Sequence, residues 1–218
     1  GNQIIKAGTL LMLGHSLDSI KKTTNYLNSS TNKVAIKKAI FPWSRFPAED
    51  TMLGPEMKAT GEVLGIGRSF GVALNKAYAA AGVEINENEK GIFVSLSDQE
   101  KPNFIKIVKT YSDLGFKIYS TYGTGEYLKN NDINSTIVGR ADETFPTSLT
   151  ILQDKLISLV INTPTFANEY TDGWKIRRLS HETGVAVVSS VREAEAFLKA
   201  FLETTKSFED MEAIQNVS

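Results

Sequence analysis

Five short apolar segments alternate with helical segments between residues 91 and 205, and this alternation restricts the fold more than any other feature. Strands that alternate with helices are typical of a parallel sheet covered by helices on both faces. The segments are GIFVSL (91–96), KIYST (117–121), STIVG (135–139), LISLVIN (156–162) and VAVVSS (185–190). The sequence therefore predicts a three-layer α/β domain with a parallel sheet of about five strands.

Two of the helical segments have apolar side chains at helical spacing along one face. In the helix after the first strand, the predicted buried face comprises Phe104, Ile107, Val108, Tyr111 and Leu114. In the last helix, it comprises Ala194, Phe197, Leu198, Phe201 and Leu202. We expect both faces to pack on the sheet, and we interpret residues 206–218 as a tail.

The part before residue 84 is less regular. Ile4, Ile5, Leu11 and Met12 have helical spacing without a good capping residue before them, as in a helix whose preceding part is absent. Residues 17–33 are polar and read as a loop or a frayed helix, whereas VAIKKAIFPW reads as a strand closed by Pro42. Residues 45–67 are rich in Gly and Pro and predict irregular backbone.

A helix, FGVALNKAYAAAG, then ends near Gly82, and the acidic stretch VEINENEK follows it. A polar stretch between two patterned regions is typical of a domain boundary. We therefore expect one unit over residues 1–83 and a second over residues 84–205.

The bulk composition excludes several classes of partner. The 218 residues have a formal net charge of −1, so no overall basic field would attract nucleic acid. The sequence contains no cysteine, which agrees with a reducing, cytoplasmic location. No apolar run approaches the roughly 20 residues that a membrane span requires. We expect neither nucleic acid nor membrane as a partner.

Polar residues follow the predicted strands at their carboxyl ends, which meet at one edge of a parallel sheet. Lys101 and Arg140 provide positive charge, and the turn STYGTG offers hydroxyls and backbone N–H groups. These groups together suit a phosphate or a carboxylate. The candidate anion-binding residues are Ser95, Lys101, Thr121, Thr124, Arg140, Asn162, Thr163 and Thr165.

The same loops are poor in groups for catalysis. His15 and His181 are isolated in the sequence and are interpreted as structural or solvent-facing. Asp142 and Glu143 are interpreted as part of a solvated loop. We assign no catalytic residue and no metal ligand.

Longer motifs resemble a known family. The phrases FP-x-x-RFP, LGPEM-x-x-TGEV and GIGR-x-F-x-x-A-x-x-KA, which occur between Phe41 and Ala77, resemble the end of the second ATP-grasp unit in the large subunit of carbamoyl-phosphate synthase. Residues 84–205 resemble the methylglyoxal-synthase-like regulatory domain that follows it. The resemblance implies a partial α+β ATP-grasp segment before a methylglyoxal-synthase-like domain.

In that family the whole enzyme makes carbamoyl phosphate from bicarbonate, two ATP and ammonia, which usually comes from glutamine. The resemblance implies three partners: the rest of the large subunit, a glutamine amidotransferase small subunit and an anionic effector. Self-association is left open. In the family, a Glu-x-Asn element that binds ATP with Mg²⁺ (or Mn²⁺) lies upstream of the position matching Gly1. Glu84-Ile-Asn86 has the same residue pattern, but it lies in the predicted linker, and we interpret the match as coincidence. We therefore expect this chain to need no cofactor and to lack the activity by itself.

The resemblance also assigns an effector pocket. It places the lysine that meets the effector phosphate at Lys101, the paired threonines at Thr121 and Thr124, and an asparagine at Asn162. Two positions depart from the family pattern, since Arg140 replaces a common lysine and Pro164 replaces a threonine. Lys101 favours a uridine or inosine nucleotide over N-acetylglutamate, and we expect Thr124 on the rim of the pocket.

Two alternatives stay open at this point. A methylglyoxal synthase-type lyase shares the fold, although its Gly-Gly-Asp loop and strand-four aspartate have no counterpart in GRADETF and INTPTF. The domain is alternatively an assembly surface without a working pocket.

Overall fold

The computed structural model of the protein describes residues 4–23, 32–41, 43, 46, 61–83, 85, 90–140, 147–163 and 171–203. Its helices are α1 (Ile4–Met12), α2 (Leu17–Thr23), α3 (Phe70–Ala80), α4 (Lys101–Asp113), α5 (Tyr122–Lys129), α6 (Ser148–Gln153), α7 (Asp172–Thr183) and α8 (Val191–Glu203). Its strands are β1 (Val34–Ala39), β2 (Glu62–Gly67), β3 (Gly91–Ser95), β4 (Lys117–Ser120), β5 (Thr136–Ile137), β6 (Leu159–Asn162) and β7 (Ala186–Val188).

The larger sheet confirms the predicted α/β architecture. It has five parallel strands in the order β5-β4-β3-β6-β7. Alternate side chains of the central strand enter different hydrophobic clusters: Ile92 and Val94 pack with α4 and α8, and Phe93 packs with α6 and α7. Helices thus cover both faces of the sheet, which makes three layers.

The strand order creates a crevice at one edge of this sheet. The chain starts at the central strand β3, moves outward through β4 and β5, and then returns to β6 on the other side of β3. The connections that leave β3 and β6 therefore diverge. Ser95 and Asn162, which are paired at the carboxyl ends of these two strands, lie at the point of divergence. In open α/β sheets, ligands bind at such a switch point.

The prediction of irregular backbone up to residue 67 is wrong for Glu62–Gly67, which forms β2 and pairs antiparallel with β1. Two glycines in β2 allow α3 to lie directly against the strand. A Cβ on Gly65 would lie 2.0 Å from the carbonyl oxygen of Ala73, and one on Gly67 would lie 2.7 Å from the Ala73 nitrogen. The glycines that suggest a loop in the sequence are therefore sites of close backbone approach.

Helix α3 joins the N-terminal segment to the larger sheet's helical layer. Leu74 and Tyr78 of α3 belong to the same hydrophobic cluster as Phe197 and Phe201 of α8. A Cβ on Gly71 would lie only 2.6 Å from the carbonyl oxygen of Lys199, so the two helices approach closely. The division at residue 84 stays a prediction, and the structure adds that a hydrophobic cluster crosses it.

Three details of the sequence analysis need correction or extension. Leu114 and Leu202 are 41% and 51% exposed, because Leu114 follows the end of α4 and Leu202 lies on the far side of the last turn of α8. Residues 17–23 form α2, which favours the helical alternative there. The four apolar residues singled out in α1, Ile4, Ile5, Leu11 and Met12, are exposed, whereas Ala7 is buried and Leu10 is partly buried against it.

Some predictions concern positions outside the described residues. These are the tail at 206–218, Pro42, Glu84, Asn86, Asp142, Glu143, Pro164 and Thr165. Within the described ranges, no helix combines the length and the apolar character that crossing a bilayer requires.

Candidate anion-binding cleft

A cleft of about 640 Å³ opens at the carboxyl edge of the parallel sheet. Its described walls come from the loops after β3, β4, β5 and β6 and from the start of α7. Five of the eight candidates line the cleft, namely Ser95, Thr121, Arg140, Asn162 and Thr163. These residues follow the strands and share one edge of the sheet, as we expect for a parallel sheet. Lys101 and Thr124 do not line the cleft.

The turn at Thr121–Gly123 forms one wall. Thr121 is the N-cap of α5, and its hydroxyl makes no capping hydrogen bond to the helix. Instead, Thr121 Oγ1 donates to Thr124 Oγ1 over 3.2 Å. Tyr122 and Gly123, which also line the cleft, form the first turn of the helix. The wall thus presents a hydroxyl and the first residues of a helix.

Thr124 is 1% exposed, so the expectation of a rim position is wrong. Its hydroxyl oxygen accepts a hydrogen bond from the backbone N–H of Leu96 over 3.1 Å. This bond links the loop after β3 to α5. The physical reason is that Thr124 is the third residue of α5, where the helix has already turned its side chain toward the sheet. Thr124 therefore shapes the cleft from behind.

Lys101 lies beside the same turn without lining the cleft. Its Nζ is 2.5 Å from Asp98 Oδ1, in a pair whose lysine side chain is 12% exposed and whose aspartate side chain is 94% exposed. A Cβ built on Gly123 would lie 3.8 Å from Lys101 Nζ. The ammonium group is therefore immediately behind Gly123, and its partner is a solvated carboxylate.

Asn162 and Arg177 form the floor. The Asn162 Nδ2 donates to the carbonyl oxygen of Ser95 over 3.3 Å, and its Oδ1 accepts from Arg177 Nη1 over 2.6 Å. Arg177 is 4% exposed and lines the cleft. Asn162 thus holds a buried cation in place.

Arg177 is absent from the sequence-based set of candidates, because it lies in the second turn of α7 and not at a strand end. The signal that could have indicated it is the pair Arg177-Arg178 beside the buried Ile176. A basic residue next to the apolar face of a helix needs a polar partner, because a buried charge is costly without one.

Arg140 lies at the outer edge of the cleft. Its side chain is 74% exposed, and its Nε lies 3.4 Å from Asp172 Oδ2. Asp172 begins α7, whose N-cap Thr171 accepts a hydrogen bond from the backbone N–H of Trp174. Among the described lining residues, the charged side chains are Arg140, Arg177 and Asp172, so positive charge exceeds negative charge by one.

Ser148 also lines the cleft, at the start of α6. The residue is 1% exposed, and among the described residues its hydroxyl has no hydrogen-bond partner. The sequence analysis does not select Ser148, because a serine at the start of a helix has no distinctive pattern.

His181 is a packing residue in the last turn of α7. Its ring packs at a tilt of 44° against that of Trp43, with centroids 5.8 Å apart. Burial, together with the charges of Lys38 and Arg178, lowers the pKa of His181 to about 4. The neighbouring Arg178 donates to the carbonyl oxygens of Trp43 and Phe46 over 2.9 and 2.8 Å. The structure thus supports the structural interpretation of this histidine.

Comparison with known proteins classifies the chain. Residues 103–189 match the family model of the MGS-like domain. The chain is 34% identical to the carbamoyl phosphate synthase large chain, C-terminal section, of Aquifex aeolicus, over 96% of this chain and 41% of that relative. It is 33% identical to the corresponding C-terminal section of Methanocaldococcus jannaschii, over 96% of this chain and 35% of the relative. It is 34% identical to the carbamoyl phosphate synthase large chain of a Nostoc species, over 99% of this chain and 19% of the relative.

The fold and the family match together define an α/β chain with an MGS-like domain. More specifically, over nearly its whole length the chain is similar to the C-terminal sections of carbamoyl phosphate synthase large chains from two organisms. It spans between about a fifth and two fifths of the length of these three relatives.

Proposed function

We propose that this chain is the regulatory portion of a carbamoyl phosphate synthase large chain, and that its cleft binds an anionic effector, above all a nucleotide. The effector would control the synthesis of carbamoyl phosphate from bicarbonate, glutamine-derived ammonia and ATP. One observation carries the proposal: the switch point of the sheet brings the Thr121–Gly123 turn, Arg140 and Arg177 around one cleft.

The anionic group of the effector lies, in this proposal, against the Thr121–Gly123 turn. Thr121 Oγ1 and the first N–H groups of α5 are its donors, because the N-terminus of a helix favours negative charge. Lys101 supports the same position from behind Gly123. Its partner Asp98 has a 94% exposed side chain, so water can solvate the carboxylate when the ammonium leaves it. The ammonium can therefore turn from Asp98 to the ligand at low cost.

Further parts of the proposal concern the whole protein. The rest of the large chain, with ATP and Mg²⁺ or Mn²⁺, would provide the phosphoryl-transfer chemistry, and an amidotransferase small subunit would provide ammonia. The relatives are large chains of greater length, which supports the part that concerns the rest of the large chain. A cytoplasmic location agrees with the lack of cysteine.

Calorimetry on the pure chain tests effector binding. UMP, IMP and N-acetylglutamate are titrated into the parent chain, and the tightest of these ligands is then titrated into Lys101→Met. A hydrogen bond to a charged group contributes roughly 1.5–3 kcal/mol, so we expect about ten- to a hundredfold weaker binding. The variant should also have a smaller dependence of affinity on salt, because one full charge is removed.

Lys109→Met is the matched control. Lys109 lies on the same helix, away from the cleft lining, and among the described residues its Nζ is 4.0 Å from Asp113 Oδ1. We expect this variant to bind like the parent chain. Equal affinities for Lys101→Met and Lys109→Met would place the anion elsewhere, and absence of heat with every ligand would contradict the proposal. Methylglyoxal formation from dihydroxyacetone phosphate by the pure chain would support the lyase alternative.

A further inference from the structure

The hydroxyl of Ser148 is the one buried side-chain polar atom without a hydrogen-bond partner in the part of the chain that the structure describes. The great majority of buried polar side-chain atoms in proteins have such a partner, because an unsatisfied one is destabilising. Ser148 lies in the lining of the cleft. An unsatisfied group at a binding site calls for an explanation, and a ligand provides one.

The local structure leaves this hydroxyl unused. Thr147 is the N-cap of α6, and Thr147 and Thr150 complete the cap by bonding each other's side chains and backbone. The backbone N–H of Ser148 donates to the carbonyl oxygen of Gly139 over 3.1 Å. The backbone at Ser148 is thus fixed by the helix cap and by the hydrogen bond to Gly139. The side-chain hydroxyl of Ser148 takes part in neither.

The surroundings of Ser148 indicate which part of a ligand it meets. Val138 and Ile176 line the same cleft, and they belong to one hydrophobic cluster with Ile151 and Leu152 of α6. The charged groups of the lining are arginines and an aspartate on other elements. A ligand group beside Ser148 would therefore meet Val138 and Ile176 and be largely apolar, with one polar atom able to reach the hydroxyl.

We propose that Ser148 Oγ hydrogen-bonds to the polar edge of a heteroaromatic ring, and that this contact selects the ring of the effector. The inference rests on the proposed function, because it assumes that the anionic part of the same ligand lies at the Thr121–Gly123 turn. Ser148 is then a specificity-determining residue, whereas the Thr121–Gly123 turn and Lys101 provide affinity for any anion.

The test uses Ser148→Ala in the full chain, with Ser158→Ala as a matched control. Ser158 is also buried, but its hydroxyl donates to the carbonyl oxygen of Gly91 over 3.2 Å. The probes are inorganic phosphate and whichever of UMP and IMP binds the parent chain more tightly. Affinity is measured by calorimetry, and Tm is measured without ligand.

We expect Ser148→Ala to bind the nucleotide about tenfold more weakly, as the loss of one hydrogen bond predicts, and to bind phosphate like the parent chain. Its Tm should equal or exceed that of the parent chain, because no protein hydrogen bond is lost. Ser158→Ala should show the reverse pattern, with a lower Tm and unchanged nucleotide affinity.

Three results would overturn the inference while leaving the proposed function intact. These are parent-like nucleotide affinity of Ser148→Ala, an equal loss of affinity for both probes, and a Tm lowered as much as in Ser158→Ala. The last of these would show that the hydroxyl has a structural partner. Failure of the parent chain to bind any nucleotide would overturn the proposed function, and this inference with it.

Discussion

Arg177 and Arg178 are adjacent in sequence, but they contact different parts of the protein. Arg177 bonds to Asn162 in the cleft, whereas Arg178 donates to the carbonyl oxygens of Trp43 and Phe46. Successive residues of a helix point about 100° apart, so one helix can hold both contacts. At the scale of single residues, α7 therefore connects the cleft to the segment before the sheet domain, and His181 packs next to that connection.

His181 should make the protein less stable as the pH falls from 7 to 5. The folded state holds its pKa near 4, against the usual 6.5, so the unfolded chain binds the proton first. The stability from the neutral ring is complete above pH 6.5 and is lost as the pH falls toward 4. At 1.36 kcal/mol per pKa unit, reduced for partial exposure, the loss at pH 5 is on the order of 1.5 kcal/mol.

Urea unfolding at pH 7 and pH 5 measures this effect. The parent chain should lose more free energy of unfolding between the two pH values than His181→Gln does. His15→Gln is the control, because His15 is exposed at a bend between α1 and α2. If the parent chain and His181→Gln respond equally to pH, His181 is not the group that titrates.

At the scale of elements, β2 shows that packing against a helix can outweigh the low strand preference of glycine. Glycine weakens an isolated strand, yet β2 contains Gly65 and Gly67 and still forms. Both residues are buried under α3, where any larger side chain would collide with helix backbone. The strand therefore exists because α3 packs on it, together with its pairing to β1.

Gly65→Ala should lower the free energy of unfolding by about 3 kcal/mol, because the added methyl group would displace α3. Gly8→Ala is the control. It lies inside α1 with no described atom within 4 Å of its added Cβ, and alanine in an exposed helix adds about 0.5–1 kcal/mol. Denaturant unfolding of both variants gives the comparison, and a Gly65→Ala chain as stable as its parent would contradict the packing described above.

At the scale of the whole molecule, the cluster shared by α3 and α8 links the two predicted units. Phe197 and Phe201 on α8 are nearly completely buried, and Leu74 and Tyr78 on α3 belong to the same cluster. The ring of Tyr78 packs edge-on to that of Phe197, with centroids 5.8 Å apart. Removing residues 1–83 would therefore expose part of the apolar face of α8.

The isolated segment 84–205 should still fold, because it contains the whole parallel sheet, but at a Tm roughly 10 °C below that of the full chain. Isolated 1–83 should not fold, since α3 loses the surface on which it packs. Calorimetric melts of the three chains test this. A cooperative transition for 1–83, or equal Tm values for 84–205 and the full chain, would show that the division is drawn wrongly.

The sequence by itself determined that the sheet is parallel with about five strands, and it indicated several of the cleft's lining residues. The five strands and the helices between them follow from local periodicity, which depends only on neighbours in the chain. Ser95, Thr121, Arg140 and Asn162 could be selected for the same reason, since each lies at or just past a strand end. Parallel strands bring those ends together whatever their order.

Only the tertiary structure decided which polar groups face the cleft and which are already engaged. The hydrogen bond between Thr124 and Leu96 and the contact between Arg177 and Asn162 join segments that are separated in space until the chain folds. The unsatisfied hydroxyl of Ser148 is of the same kind, because the absence of a partner is a property of the surroundings. A hydrogen bond depends on distances of about 3 Å between atoms, and sequence periodicity carries no information at that resolution.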